Sequence, residues 1–230
     1  MTVQEPPEEP RTELVDKLLA GALSSLPVAG GAAGAWYEYV MEGPYSRRLA
    51  GWRARITEVV NELVLKVERL LDNEVFLDAF IQSTRIAQTT HQQEKLRALR
   101  NALVNSVALD APDVDEQARF FRMVDDFSAR HIVLLRWIND HESTTDQVDS
   151  GQRVTGSGVW AHRLPAFAGS GEMLALIVDD LQRSRLITFP DGFAELGVIG
   201  DTHFVGRASE LGQRFLRFIS EGDVQTTRPR

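Results

Sequence analysis

Apolar residues recur at three- and four-residue steps through most of the first 140 positions, which is the spacing of one face of an α-helix. The clearest run covers 44–71. Pro44 suits a first-turn position, and Leu49, Trp52, Ile56, Val59, Leu63, Val67 and Leu70 fall on one side. This predicts an amphipathic helix of roughly 40 Å. Before it, Leu14, Val15, Leu18 and Leu19 form a shorter stripe behind a Thr12 cap, and Pro27 with Gly30 and Gly31 interrupts the regular structure. Asp72 and Asn73 then break and recap the chain. Residues 74–109 read as one helix or as two meeting near Thr90, and the capping-box spacing of Thr90 and Gln93 favours two. Asp113 and Glu116 repeat that spacing ahead of Phe120, Phe121, Val124 and Phe127. Ser128 restarts the helix, and Ile132, Leu135 and Ile138 carry the stripe to Asp140.

The pattern then changes. HESTTDQVDSGQRVTGSG has no periodicity and reads as a linker or loop. MLALIVDDLQRSRLITF is a helix that turns into a strand, PDGFAELGVIGD is rich in turn residues, and THFVGRA returns as a second strand. SELGQRFLRFI closes with Leu211, Phe215, Leu216 and Ile219 on one face. Helix, hairpin, helix is the order of half a winged helix. The expected fold class is therefore mainly α: a helical bundle with a small C-terminal winged-helix-like α+β unit. The expected organisation is a disordered leader at 1–10, a helical bundle domain at 11–140, a polar linker at 141–160, a winged-helix-like domain at 161–222 and a disordered tail at 223–230. The leader follows from its prolines and glutamates, which offer too little apolar surface to offset ordering entropy.

Composition removes several function classes. With no cysteine in 230 residues, disulfides, thiolate nucleophiles and cysteine-ligated metals are excluded, and a reducing cytoplasm is the expected compartment. The formal net charge of −8 disfavours general affinity for nucleic acid. His91, His131, His141, His162 and His203 lack metal-binding spacing, and Ser157 and Ser170 do not fit a nucleophile elbow. The glycines near position 30 are followed by no Lys-Ser or Lys-Thr pair, so they form no phosphate loop. No catalytic residue, cofactor or metal is implied.

Three candidate surfaces are left. Between Lys17 and Glu38 lie 20 residues without a charge, ending in Trp36 and Tyr37, and beyond them come Tyr39, Tyr45 and Trp52 together with Arg47, Arg48, Arg53 and Arg55. Rings and arginines beside an apolar segment suit a membrane interface. Against that, Pro27, Ser24 and Ser25 are costly in hydrocarbon, and a hairpin buried in the bundle explains the same residues. The second surface is the polar run 82–93, which makes Arg85, Gln88, His91 and Asn101 candidates for a polar pocket in which the arginine takes an anionic group. A buried hydrogen-bond network or a solvated face accounts for the same residues and is the favoured reading. The third is a nucleic-acid contact through Gln182, Arg183, Arg185 and Arg207, set against five arginines and eight acids between Glu172 and Glu221.

From Leu181 to Ile187, Thr202 to Gly206 and Leu211 to Ile219 the chain resembles the tail of MarR- and PadR-like regulators. That resemblance implies a recognition helix, a wing and a closing helix. On LPVAGGAAGAW, TTHQQEKLRALRNALVN and ELGQRFLRFI the whole chain resembles an uncharacterised bacterial family of helical proteins, which implies architecture and carries over no catalytic residue. The expected function is a non-enzymatic interaction or regulatory protein acting on a protein partner or on itself. The alternatives are an effector peripheral to the inner face of the membrane and a DNA-binding transcription regulator.

Overall fold

A computed structural model describes Leu19 and residues 46–63, 72–140, 171–188, 197–199, 203–205 and 207–221. The expected leader, tail and polar linker lie outside the described residues, as does the Gly/Ala-rich front segment apart from Leu19, which is buried. The described part is mainly helical. In order it comprises α1 (Ser46–Glu62), α2 (Glu74–Thr89), α3 (Gln93–Asn105), α4 (Val114–Asp126), α5 (Ala129–Asp140), α6 (Gly171–Arg183), β1 (Ile187–Thr188), β2 (Gly197–Ile199), β3 (His203–Val205), β4 (Arg207–Ala208) and α7 (Glu210–Ile219). Two compact units result: residues 1–125 with 218–230, and residues 126–217. The division thus falls after α4, with α5 grouped among the C-terminal elements, and the last residues of α7 belong to the first unit.

In the first unit α1, α2 and α3 pack mutually. Trp52, Ile56, Val59, Val60 and Leu63 form the buried side of α1, as the periodicity requires. An indole placed in a core needs a partner for its N–H, and Trp52 Nε1 donates to Thr84 Oγ1 of α2 at 3.1 Å. Asn73 caps α2, its side chain accepting the Phe76 N–H at 3.1 Å. The chain breaks between α2 and α3 as expected, but the cap differs from a capping box. Thr90 Oγ1 accepts the Gln92 N–H at 3.2 Å, while Gln93 Oε1 is taken by Arg55 Nη2 at 2.7 Å and does not reach back.

The C-termini of α3, α4 and α7 are closed by side-chain donors from other helices. No helix from α1 to α4 has a basic residue in its last turn, so its final carbonyls need other donors. Lys95 Nζ of α3 donates to Asp125 O near the end of α4 at 2.8 Å. Gln117 Nε2 of α4 donates to Ser106 O at the end of α3 and to Pro112 O in the following loop, at 3.1 and 2.9 Å. Asn101 and Asn105, one turn apart on α3, take the end of α7. Asn101 Nδ2 donates to Ile219 O at 3.2 Å, and Asn105 Nδ2 donates to Phe218 O and Ser220 O at 2.8 and 2.9 Å. Phe218 sits 5.5 Å from the rings of both Phe120 and Phe121.

In the second unit α5 packs on α6 and β4, with Ile132, Leu134, Leu135 and Ile138 fully buried. β1 pairs antiparallel with β4, and β2 with β3. The two pairs are nested: β3 and β4 are nearly continuous, while residues 189–196 separate β1 from β2. β2 falls in a segment that turn composition assigns to loop. Its pairing with β3 overrides local propensity. The start of α7 is locked onto the corner after α6. Ser209 Oγ accepts the Gly212 N–H at 2.9 Å and donates to Arg185 O at 2.6 Å, while Ser209 N–H donates to Leu186 O at 2.9 Å. Gly212 is required there, because a Cβ would overlap the Leu186 carbonyl.

Asn105→Ala removes the donor shared by two carbonyls and is expected to lower unfolding free energy by about 1–3 kcal/mol. Gly212→Ala forces backbone displacement and costs about 2–3 kcal/mol. Urea titration followed by far-ultraviolet circular dichroism measures both, and an unchanged midpoint in either variant contradicts the corresponding contact.

Candidate functional site

Among the described residues of the second unit, the outward side of α6 is the most distinctive surface. Leu174, Ile177, Val178 and Leu181 face inward, leaving Glu172, Leu176, Asp179 and Arg183 in a row at the helical repeat, with Met173 beside it. Leu176 is 55% exposed and Met173 47% exposed, both high for large apolar side chains. An acid stands one turn to either side of Leu176. Arg183 leans back on the same helix, Nη2 to Asp179 Oδ2 and Nη1 to Asp180 Oδ1, both at 3.4 Å. These pairs are highly exposed and contribute little to stability, but they offset the arginine's charge locally.

The end of α6 is a Schellman turn. Leu186 N–H reaches Leu181 O, and Arg185 N–H reaches Gln182 O, both at 2.9 Å. The residue that turns the corner is Arg185, with φ of 58°, where glycine is the usual occupant. Leu181 and Leu186 close the apolar side of the turn. Gln182, Arg183, Arg185 and Arg207 are all exposed, Arg207 lying opposite Thr188 in the β1–β4 pair. The ridge beside them carries Glu172, Met173, Leu176 and Asp179, which is poor chemistry for phosphate and bases.

Behind this helix lies a polar cluster that spacing alone does not reveal. His131, buried, stacks flat on Phe127 at 4.9 Å and 3°. Its Nδ1 accepts the Ser128 N–H at 3.2 Å and lies 2.9 Å from Ser128 Oγ, and its Nε2 lies 3.4 Å from Asp180 Oδ2. Serine, histidine and aspartate are thus in contact, but their wiring is that of a helix cap. Nδ1 is already occupied by a peptide N–H one turn away, which assigns the ring proton to Nε2, facing the carboxylate. A base must instead be free to take the hydroxyl proton. The signal for this cap was Ser128 with His131 at the third helical position, in the place that Glu or Gln takes in a capping box.

The four residues of the expected polar pocket are separated by burial. Gln88 and Asn101 are buried, whereas Arg85 and His91 are exposed. Asn101 is committed to Ile219 O, with its Oδ1 accepting from Arg100 Nη1 at 2.9 Å, which orients the amide as donor to the α7 carbonyl. Lys95, two residues into α3, is turned inward to cap α4. Of the interface set, Trp36 and Tyr37 lie outside the described residues, and Arg47, Arg48 and Arg53 are exposed. Arg55 is half-buried, bonded to Gly51 O at 3.3 Å and to Gln93. Trp52 does not belong to that set. It is 2% exposed and hydrogen-bonded inside the helix packing, because it lies on the apolar stripe and its flanking arginines do not.

Among the described residues no helix is long and apolar enough to cross a membrane, and no group of three or more His, Asp or Glu side chains is placed to hold a metal ion. His131→Leu keeps the bulk against Phe127 while leaving the Ser128 N–H without its acceptor. It is expected to cost about 1–2 kcal/mol in chemical denaturation. Asp180→Ala should cost less, since that side chain is 35% exposed; the reverse order would contradict the cap. Comparison of the chain with known protein families, with curated proteins and with solved structures finds no match.

Proposed function

We propose that this chain is a non-enzymatic protein-interaction or regulatory protein whose C-terminal unit is a winged-helix-like docking module. The order of α6, the nested hairpin and α7 supports that reading of the unit, with α6 in the recognition position and β2–β3 as the wing. A recognition helix that reads DNA presents basic and amide side chains. This one presents Leu176 between Glu172 and Asp179, with Met173 alongside. That face is the observation carrying the proposal: an apolar anchor with an acidic border suits a protein pocket with a basic rim and repels phosphate. Wings and recognition helices are scaffolds for more than one function, so the side chains on them decide.

Burying the exposed remainder of Leu176 and Met173 in a partner contributes about 1–2 kcal/mol each, enough to make them hot spots. The test compares wild-type chain with Met173→Glu/Leu176→Glu in quantitative affinity purification from the native cell. A partner specifically enriched with wild type is expected to fall at least about tenfold with the variant, while the melting temperature, read in parallel, stays unchanged because both sites are on the surface. A partner profile identical in the two samples, or a salt-dependent shift of duplex DNA that weakens in Arg183→Ala/Arg185→Ala, would overturn the proposal.

A further inference from the structure

The exposed side of α1 has no role in the docking proposed for α6, and its chemistry differs. Arg47, Arg48, Arg53 and Arg55 all fall in the first ten residues of the helix, its acids are Glu58 and Glu62 near the other end, and its first turn has no acid. In a chain of net charge −8 this is a concentration of positive charge, reinforced by the partial positive charge of the helix N-terminus. At 100° per residue, Ala50, Gly51 and Ala54 form the centre of the solvent side with Arg47, while Arg53 flanks it on one side and Arg48 and Arg55 on the other. Arg55 is tied to Gly51 O and Gln93 Oε1. The opposite face, Trp52, Ile56, Val59 and Val60, is buried. The helix is thus held rigidly from behind, with a smooth strip of small residues facing outward between arginines.

We propose that this half of α1 is a contact for an anionic phospholipid surface, made by Arg47, Arg48 and Arg53. The small central residues let the helix lie close to a flat surface, and the flanking arginines extend their apolar stems over it while the guanidinium groups reach phosphate. A second copy of the same face would bring like charges together, so self-pairing is disfavoured. Nucleic-acid phosphates would attract the same arginines, but alanine and glycine supply none of the base-reading or stacking side chains that would add to that attraction.

The test is flotation of the full-length chain with phosphatidylcholine vesicles, with and without roughly one-third phosphatidylserine. Binding is expected only to the anionic vesicles. It should be released at about 1 M salt, where the screening length is about 3 Å. Each arginine removed should weaken partitioning about fivefold, and Arg47→Ala/Arg48→Ala/Arg53→Ala by roughly a hundredfold, while the triple change to Lys retains binding. Unchanged circular dichroism of the alanine variant separates lost contact from lost fold. The inference is overturned if the wild-type chain does not float with anionic vesicles, if the alanine variant floats equally well, or if a short DNA duplex is bound more tightly than the vesicles through the same arginines.

Discussion

The constraint on which this structure depends is the fate of carbonyl groups at the ends of helices. A helix leaves its last carbonyls without donors, and a packed bundle cannot leave them to water where those ends are buried. Glycine in a left-handed cap is the common solution, but among the described residues no helix of the first unit is followed directly by glycine. Its helices lend donors to one another: Lys95 to α4, Gln117 to the end of α3, and Asn101 with Asn105 to the end of α7. Each such bond is modest on its own, yet an unmet buried carbonyl costs more than the bond contributes. Packing and polar satisfaction therefore select the same arrangement, because each donor reaches its carbonyl only when the helices are in register.

The second unit meets the same constraint differently. Arg185 takes the left-handed corner, and Ser209 Oγ and N–H then use the carbonyls of Arg185 and Leu186 to start α7. A non-glycine residue at this corner is held there by the two bonds of the turn, by burial of Leu181 and Leu186, and by the close approach of Gly212. The corner sets the direction in which β1 leaves α6, while burial of Leu174, Ile177, Val178 and Leu181 sets which side of α6 faces outward. The aliphatic and acidic ridge of that helix is a product of this geometry as much as of composition.

Much of the helical framework is legible in the sequence because apolar spacing reports burial directly. Trp52, Ile56 and Val59, then Phe120, Phe121 and Val124, then Ile132, Leu135 and Ile138 are all buried where their spacing places them. The break near Thr90 and the caps at Asn73 and Asp113 follow from local bonding rules. Polar residues are harder to place. Gln88 and Asn101 belong to a pattern that reads as pocket, network or solvated face, and only long-range contacts decide among these; Asn101 meets a carbonyl 118 positions away. Phe218 shows the same limit, since its place between Phe120 and Phe121 depends on tertiary pairing beyond the stripe on α7. The Ser128–His131 cap was written locally but in an uncommon dialect, with imidazole in the position of a carboxamide or carboxylate.

The amide donors on α3 also set an order of events during synthesis. Phe218, Ile219 and Ser220 complete the unit built from the first 125 residues, and every residue of the other unit is translated before them. The earlier unit therefore cannot complete its core until the whole of the later one has been made, and until then the Phe120 and Phe121 rings lack their third member and the α3 amides lack the α7 carbonyls. Folding of the first half is thereby tied to arrival of the last turn of α7, and a nascent chain stalled before residue 218 would expose an aromatic cleft that the finished protein never shows.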